Sequence, residues 1–168
     1  MRKMTEQNLR SAFAGESQAH MRYLIFAEKA GKENKPNLSR LFKAVSYAEQ
    51  VHAANHFRAL GDLNDSSKNL QAAIDGETYE VEDMYPAYKA VAELQGEKSA
   101  VRSTNFALEA EKIHAVLYKK SKEAVDQKGG DIELKDVYIC DLCGYTVEGE
   151  APDVCPICGA KKNAFKKF

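Results

Sequence analysis

The hexapeptide Ala48-Glu49-Gln50-Val51-His52-Ala53 returns almost unchanged as Ala110-Glu111-Lys112-Ile113-His114-Ala115, 62 residues later. In a helix, residues three apart sit on one face, about 60° from each other. Glu49 and His52 therefore project together, and so do Glu111 and His114. Apolar neighbours share each face: Val45 one turn before Glu49, and Leu108 three residues before Glu111. A second repeat has an offset of 61, with Gly15-Glu16-Ser17 returning as Gly76-Glu77-Thr78. Glu16 shares a stripe with Phe13 and Tyr23; Glu77 shares one with Met84, Tyr88 and Val91. The first helix thus resembles the third and the second resembles the fourth. A duplicated helical hairpin follows, with a pseudo-two-fold axis through the bundle.

Four carboxylates and two imidazoles are thereby expected to point into a helical core. Unpaired buried charge costs several kcal/mol per ion, and a pair of divalent cations would offset it. One Glu from each of two helices and Glu-x-x-His from each of the other two is the ligand pattern of di-iron and di-manganese carboxylate bundles. The alternative is four helices with solvent-facing acids and two satisfied core histidines, which the apolar stripes argue against. Glu80, three residues after Glu77, can reach the same centre or lie on a solvated face. Glu109 is rotated about 200° from Glu111 and should face water. Glu82 and Asp83 lie off the Glu77 stripe. His20 and His56 each fall within about 40° of a ligand stripe. The repeat places Val81 and Tyr118 at their matching positions, so the expected role of both histidines is packing or a hydrogen bond to a ligand, with metal binding as the alternative.

The helical pattern runs from about Thr5 to Lys128, rich in Ala, Leu, Glu, Lys and Gln. Breaks fall at Gly31 to Pro36, with Pro36 and Asn37 opening a second helix, and at Gly61 to Ser66. Ser67 is a fair N-cap for a third helix, which Pro86 is expected to kink or split. Gly96 precedes a fourth helix that stops at Gly129-Gly130. The expected organisation is an all-α four-helix bundle over residues 1–130, a linker over 131–136, and a small β/loop metal domain over 137–168. The formal net charge of −1 provides no field to attract nucleic acid or an anionic membrane. No apolar run approaches the roughly 20 residues of a spanning helix, and Met1 to Gln7 leads into no apolar signal core. A reducing cytoplasm is the expected compartment.

All four cysteines lie near the C-terminal end, as Cys140-Asp141-Leu142-Cys143-Gly144 and Cys155-Pro156-Ile157-Cys158-Gly159. In a reducing compartment clustered thiols read as metal ligands before disulfides. Four thiolates suit a tetrahedral iron or zinc ion. A glycine after each second cysteine permits a positive-φ turn that aims backbone N–H groups at sulfur. The segment from Val137 to Phe168 is too short to fold on apolar burial alone, so the metal acts as its staple. Tyr138, Tyr145 and Phe165 are candidates for a small aromatic core. Lys161, Lys162, Lys166 and Lys167 read as solvated charge.

Both halves together resemble rubrerythrin. The resemblance rests on Phe13-Ala14-Gly15-Glu16-Ser17-Gln18-Ala19, the two Glu-x-x-His units, Gly76-Glu77-Thr78-Tyr79-Glu80, Met84-Tyr85-Pro86 and the rubredoxin-like tail. It implies a ferritin-like bundle whose two non-haem irons are held by Glu16, Glu49, His52, Glu77, Glu80, Glu111 and His114. Glu80 is then the extra carboxylate of the family. One further iron would be held by Cys140, Cys143, Cys155 and Cys158. The resemblance also implies homodimers, hydrogen peroxide reduction, oxygen defence, an iron that shifts between Glu80 and His52 with oxidation state, and a Tyr23 hydroxyl bonded to a ligand carboxylate.

The expected function is a di-iron peroxidase that receives electrons through the four-cysteine iron. No Gly-x-Gly-x-x-Gly occurs, so a separate reductase or rubredoxin must be the electron donor. The alternative within the same bundle is a ferroxidase or iron-storage protein of the ferritin type, which has no use for an outside electron source. A non-catalytic zinc ribbon on a structural metal bundle is the third reading, and colour separates it, since Fe(III)–thiolate absorbs visible light and Zn(II) does not.

Overall fold

The computed structural model describes the backbone of residues 1–168 and every side chain except that of Lys128. Five α-helices precede a three-stranded sheet, and the chain divides into two compact units, Met1–Asn64 and Asp65–Phe168. Among the described residues, no helix is long and apolar enough to cross a membrane.

The first unit is a hairpin of α1 (Lys3–Lys32) and α2 (Pro36–Leu60). Pro36 occupies the first turn of α2, where its missing N–H would be unpaired in any case. Gly61 closes α2 in the left-handed region at φ 80°, a conformation that costs a glycine nothing. The two helices meet through small residues: Ala27 and Ala30 of α1 and Ser39 and Ser46 of α2 are all buried. Aromatic pairs flank that seam, Phe13 against Phe57 at 5.3 Å and Phe26 against Phe42 at 5.6 Å. His20 belongs to the seam as well. Its Nδ1 lies 2.9 Å from the Ser46 carbonyl and 3.0 Å from Ser46 Oγ, which in turn donates to the His20 carbonyl. The packing role is therefore the observed one.

The second unit begins at α3 (Ser66–Tyr79), continues through a π-helical segment (Glu80–Met84) into α4 (Tyr85–Leu94), and returns in α5 (Lys98–Lys128). The N-cap of α3 is Asp65, whose carboxylate accepts from the Lys68 N–H, and not Ser67. Asp and Ser cap equally well, and local sequence does not rank them. Ser67 instead donates to Asp126, tying the start of α3 to the end of α5. The third helix is divided as expected near Pro86, which stands in the first turn of α4 just after the π segment. A proline cannot donate to the carbonyl four residues back and crowds it. The wider turn just upstream absorbs this, with the Tyr85 N–H bonding the Glu80 carbonyl five residues back. The π segment also accounts for the two repeat offsets. Glu16 and Glu77 are 61 apart, whereas Tyr23 and Tyr85, beyond the extra residue, are 62 apart like the two Glu-x-x-His units.

After α5, Gly129 caps the helix at φ 62°. Strands β1 (Val137–Cys140), β2 (Thr146–Glu148) and β3 (Phe165–Lys167) form an antiparallel sheet in the order β2-β1-β3. The Ile139↔Thr146 and Cys140↔Phe165 pairings bring the first cysteine pair beside the aromatic cluster. Tyr145 and Phe165 meet edge to face and pack on the cysteines, joined by Phe106 from α5 rather than by Tyr138.

Ile74, on α3, is one of the few large aliphatic side chains buried in the second unit. Ile74→Ala should lower unfolding stability by about 2–5 kcal/mol, the usual cost of such a cavity, measured by urea denaturation.

Candidate metal centres

Three groups of ligating side chains stand close enough to hold a metal ion. In the first unit, Glu16 of α1 meets Glu49 and His52 of α2; in the second, Glu77 of α3 meets Glu111 and His114 of α5. Cys140, Cys143, Cys155 and Cys158 form the third. In each group all ligand atoms lie within 4.8 Å of one another.

Helical spacing brings His52 Nδ1 to 3.2 Å from Glu49 Oε2, and His114 Nδ1 to 2.6 Å from Glu111 Oε2. An imidazole nitrogen and a carboxylate oxygen at such distances need a proton or a cation between them. Glu16 and Glu49 share a hydrogen bond that raises the Glu16 carboxyl above its ordinary range and lowers that of Glu49. His56 lies near enough for its charge to act on Glu16 but stays outside the triad. The His52 side chain is 55% exposed, against 29% for His114. Within its own unit His52 has only α1 packed beside its helix.

The second triad is more deeply set. Burial raises the Glu77 carboxyl to about 8, aided by the hydrogen bond and charge of Glu111 and by the charge of Glu80. Glu77 Oε2 is buried with no hydrogen-bond partner. An orphaned carboxylate oxygen 3.9 Å from an imidazole nitrogen fits a divalent cation, which would accept both lone pairs. Glu80 lies outside the triad itself but opens the π segment beside it. Burial and the Glu111 charge raise its carboxyl. Its counterpart in the first unit is buried Ala19, so the two triads differ at this position. Sequence reasoning passed over Tyr85 as a site residue. Burial, then the charges of Glu80, Glu111 and Glu77, raise its hydroxyl pKa. Tyr23, its repeat counterpart, stacks its ring near Phe26 and Phe42. Glu109 pairs with Lys112 at 2.7 Å, away from both triads.

The cysteines form two matched knuckles. The Gly144 N–H bonds the Cys140 carbonyl and the Gly159 N–H bonds that of Cys155, with φ of 79° and 77° at the glycines. Sγ atoms stand 3.6 Å apart for Cys140 and Cys158 and 3.5 Å for Cys143 and Cys155. A disulfide would need about 2.05 Å, whereas the edge of a tetrahedron of thiolates around one ion is about 3.8 Å. Burial pushes the Cys143 and Cys158 thiols up. At Cys155 burial also acts upward, but backbone N–H groups of Cys158 and Ile157 outweigh it and the thiol is lowered. Tyr145 and Ala160 offer their N–H groups to Cys143 and Cys158. Thiolates so solvated suit a metal.

Comparison with known proteins agrees with this geometry. A family model described as rubrerythrin matches residues 7–122, and one for its rubredoxin-like domain matches 138–166. A protein of Clostridium acetobutylicum, rubrerythrin-2, is 48% identical over 98% of this chain and 97% of its own length. Nigerythrin of Nitratidesulfovibrio vulgaris is 31% identical, over 98% of this chain and 86% of its own. A solved structure of nigerythrin in the fully reduced, all-ferrous state superposes with a TM-score of 0.57 at 30% identity, covering 98% of this chain and 86% of that one.

The Glu77 carboxyl gives a pH signature to the metal-free protein. Its folded pKa of about 8 exceeds the ordinary 4.5, so its stabilising contribution is full below that lower value and is lost as pH rises through about 8. Chelated protein should therefore become easier to unfold across this window, and Glu77→Gln should flatten the dependence. Denaturant titrations from pH 5 to pH 9 would read it. Metal binding must expel the same proton, so affinity should climb with pH.

Proposed function

Because the chain belongs to the rubrerythrin family, we propose that it is a peroxidase that reduces hydrogen peroxide to water at a two-iron centre, with electrons entering through the four-cysteine iron. Glu16, Glu49, His52, Glu77, Glu80, Glu111 and His114 are its proposed bundle ligands, and Cys140, Cys143, Cys155 and Cys158 hold the third iron. The proposed organisation keeps the helical domain at 1–130, the linker at 131–136 and the thiolate domain at 137–168. The observation that carries the reading is one chain that joins two carboxylate–imidazole triads, one with an orphaned buried oxygen, to a cluster of four cysteines. When bound, the iron pair supplies Lewis acidity and two electrons for cleavage of the peroxide O–O bond.

The chain's own residues supply position and protons. Glu111 and His114 project from one face of α5, and Glu77 meets them from α3. Glu80 adds a carboxylate at the π turn, where a helix is readily widened at functional sites. The Tyr85 hydroxyl, raised by burial and by three carboxylates, keeps its proton at neutral pH and can hand a hydrogen bond to a substrate oxygen. The thiolate cluster is screened by Phe106, Tyr145 and Phe165, so it exchanges electrons without opening to water. A separate reductase or rubredoxin is the proposed donor, a homodimer the proposed assembly, and the cytoplasm the proposed location.

Protein grown with ample iron should carry about three iron ions per chain and the colour of Fe(III)–thiolate. In stopped-flow mixing, peroxide should reoxidise the reduced protein much faster than oxygen does. Faster reaction with oxygen and growth of a mineral core would favour the ferroxidase. Cys158→Ser should spoil reductase-driven turnover yet leave pre-reduced protein consuming about one peroxide per iron pair. Glu111→Ala should lose both. Full reductase-driven turnover by Cys158→Ser with a metal-free tail would show that the thiolate site is not the relay.

A further inference from the structure

The four-cysteine module sits on its own chain's α5. Phe106 packs on the cysteine cluster, and a Cβ added at Gly144 would stand 3.8 Å from the Ala110 Cβ. One turn further along the same stripe is His114. Its Nε2 lies 2.7 Å from Oγ1 of Thr146, the first residue of β2, which is 5% exposed. Lys120 extends the contact to Glu148 at 3.1 Å.

Proton counting points to one direction for the central bond. Thr146 Oγ1 donates to the Gly144 carbonyl at 3.0 Å, and a hydroxyl has a single hydrogen to give. Toward His114 it can therefore only accept, so Nε2 must carry the hydrogen. In a neutral imidazole that leaves the lone pair on Nδ1, the nitrogen that faces Glu111 and Glu77. The other end of the bond leads back to sulfur, since Gly144 directly follows Cys143.

We propose that Thr146 is a positioning residue that holds His114 in the Nε2–H tautomer, with Nδ1 presented to a metal, and that it completes a bonded route between the two metal sites of one chain. The route runs from Cys143 along the backbone to the Gly144 carbonyl, across to the Thr146 hydroxyl, and across again to the His114 ring. With iron bound at both sites, each passage would move one electron, oxidising a ferrous tetrathiolate site to ferric and reducing a ferric ion held by His114 to ferrous. No proton has to accompany it, because both hydrogen bonds persist. The relay half of the proposal rests on the peroxidase reading; the tautomer half does not.

The test compares wild type, Thr146→Val and Thr146→Ser in the full-length protein. In the zinc-loaded chain, nitrogen–proton NMR should find a slowly exchanging His114 Nε2–H in wild type and Thr146→Ser, and lose it in Thr146→Val. In the iron-loaded chain, peroxide is mixed with fully reduced protein, and the thiolate-to-iron absorption is followed as the tail iron reoxidises. Thr146→Val should keep its iron content and tail spectrum but reoxidise the tail about 10–100-fold more slowly, a usual range when the hydrogen-bond partner of a ligating histidine is lost. Thr146→Ser should restore the rate. A wild-type rate in Thr146→Val, or a Ser variant as slow as the Val variant, overturns the relay. An unchanged Nε2–H signal in Thr146→Val overturns the positioning role of Thr146, and the absence of that signal from wild type overturns the tautomer assignment. If peroxide fails to reoxidise even the wild-type tail, the peroxidase reading falls and the relay falls with it, and the NMR alone then decides the hydrogen bond.

Discussion

Everything in the second unit is arranged around a carboxylate oxygen that accepts nothing. Glu77 Oε2 is buried without a partner, next to two other acids and an imidazole. A fold that gathers like charges out of water raises its own energy unless something positive joins them. Helix packing brings the acids together, and the cation they require makes the gathering favourable. The same logic governs the tail at smaller scale. There the knuckles aim backbone N–H groups at sulfur, and one ion replaces the apolar core that so short a segment lacks.

The ligand triads and the thiolate cluster were legible in the sequence because their signals are local. Glu-x-x-His falls on one helical face whatever surrounds it, and Cys-x-x-Cys with a following glycine forms a knuckle of its own. What could not be read depends on contacts between distant segments. Thr146 lies 32 residues from His114, and nothing in its neighbours marks it as a hydrogen-bond partner for that ring. Phe106 reads as one more apolar helix residue until the tail is laid against it. His20 lies almost on a ligand stripe, and only the serine on the facing helix accounts for it. Ser67 was the cap expected from sequence, but its hydroxyl is taken by Asp126 of α5 and Asp65 caps α3 in its place.

The inserted residue in the π segment has a consequence for how a duplicated protein acquires direction. Two copies of one hairpin would offer two equivalent ligand sets, and ions held in them would share one affinity and one potential. The second copy instead carries an additional carboxylate where the first has an alanine, and a widened turn that sets a tyrosine among the acids. The thiolate module rests on α5 of that second copy. Three departures from symmetry thus fall on the same hairpin. The two hairpins of the repeat are therefore not interchangeable, and a cation beside the second would sit among more carboxylates than one beside the first.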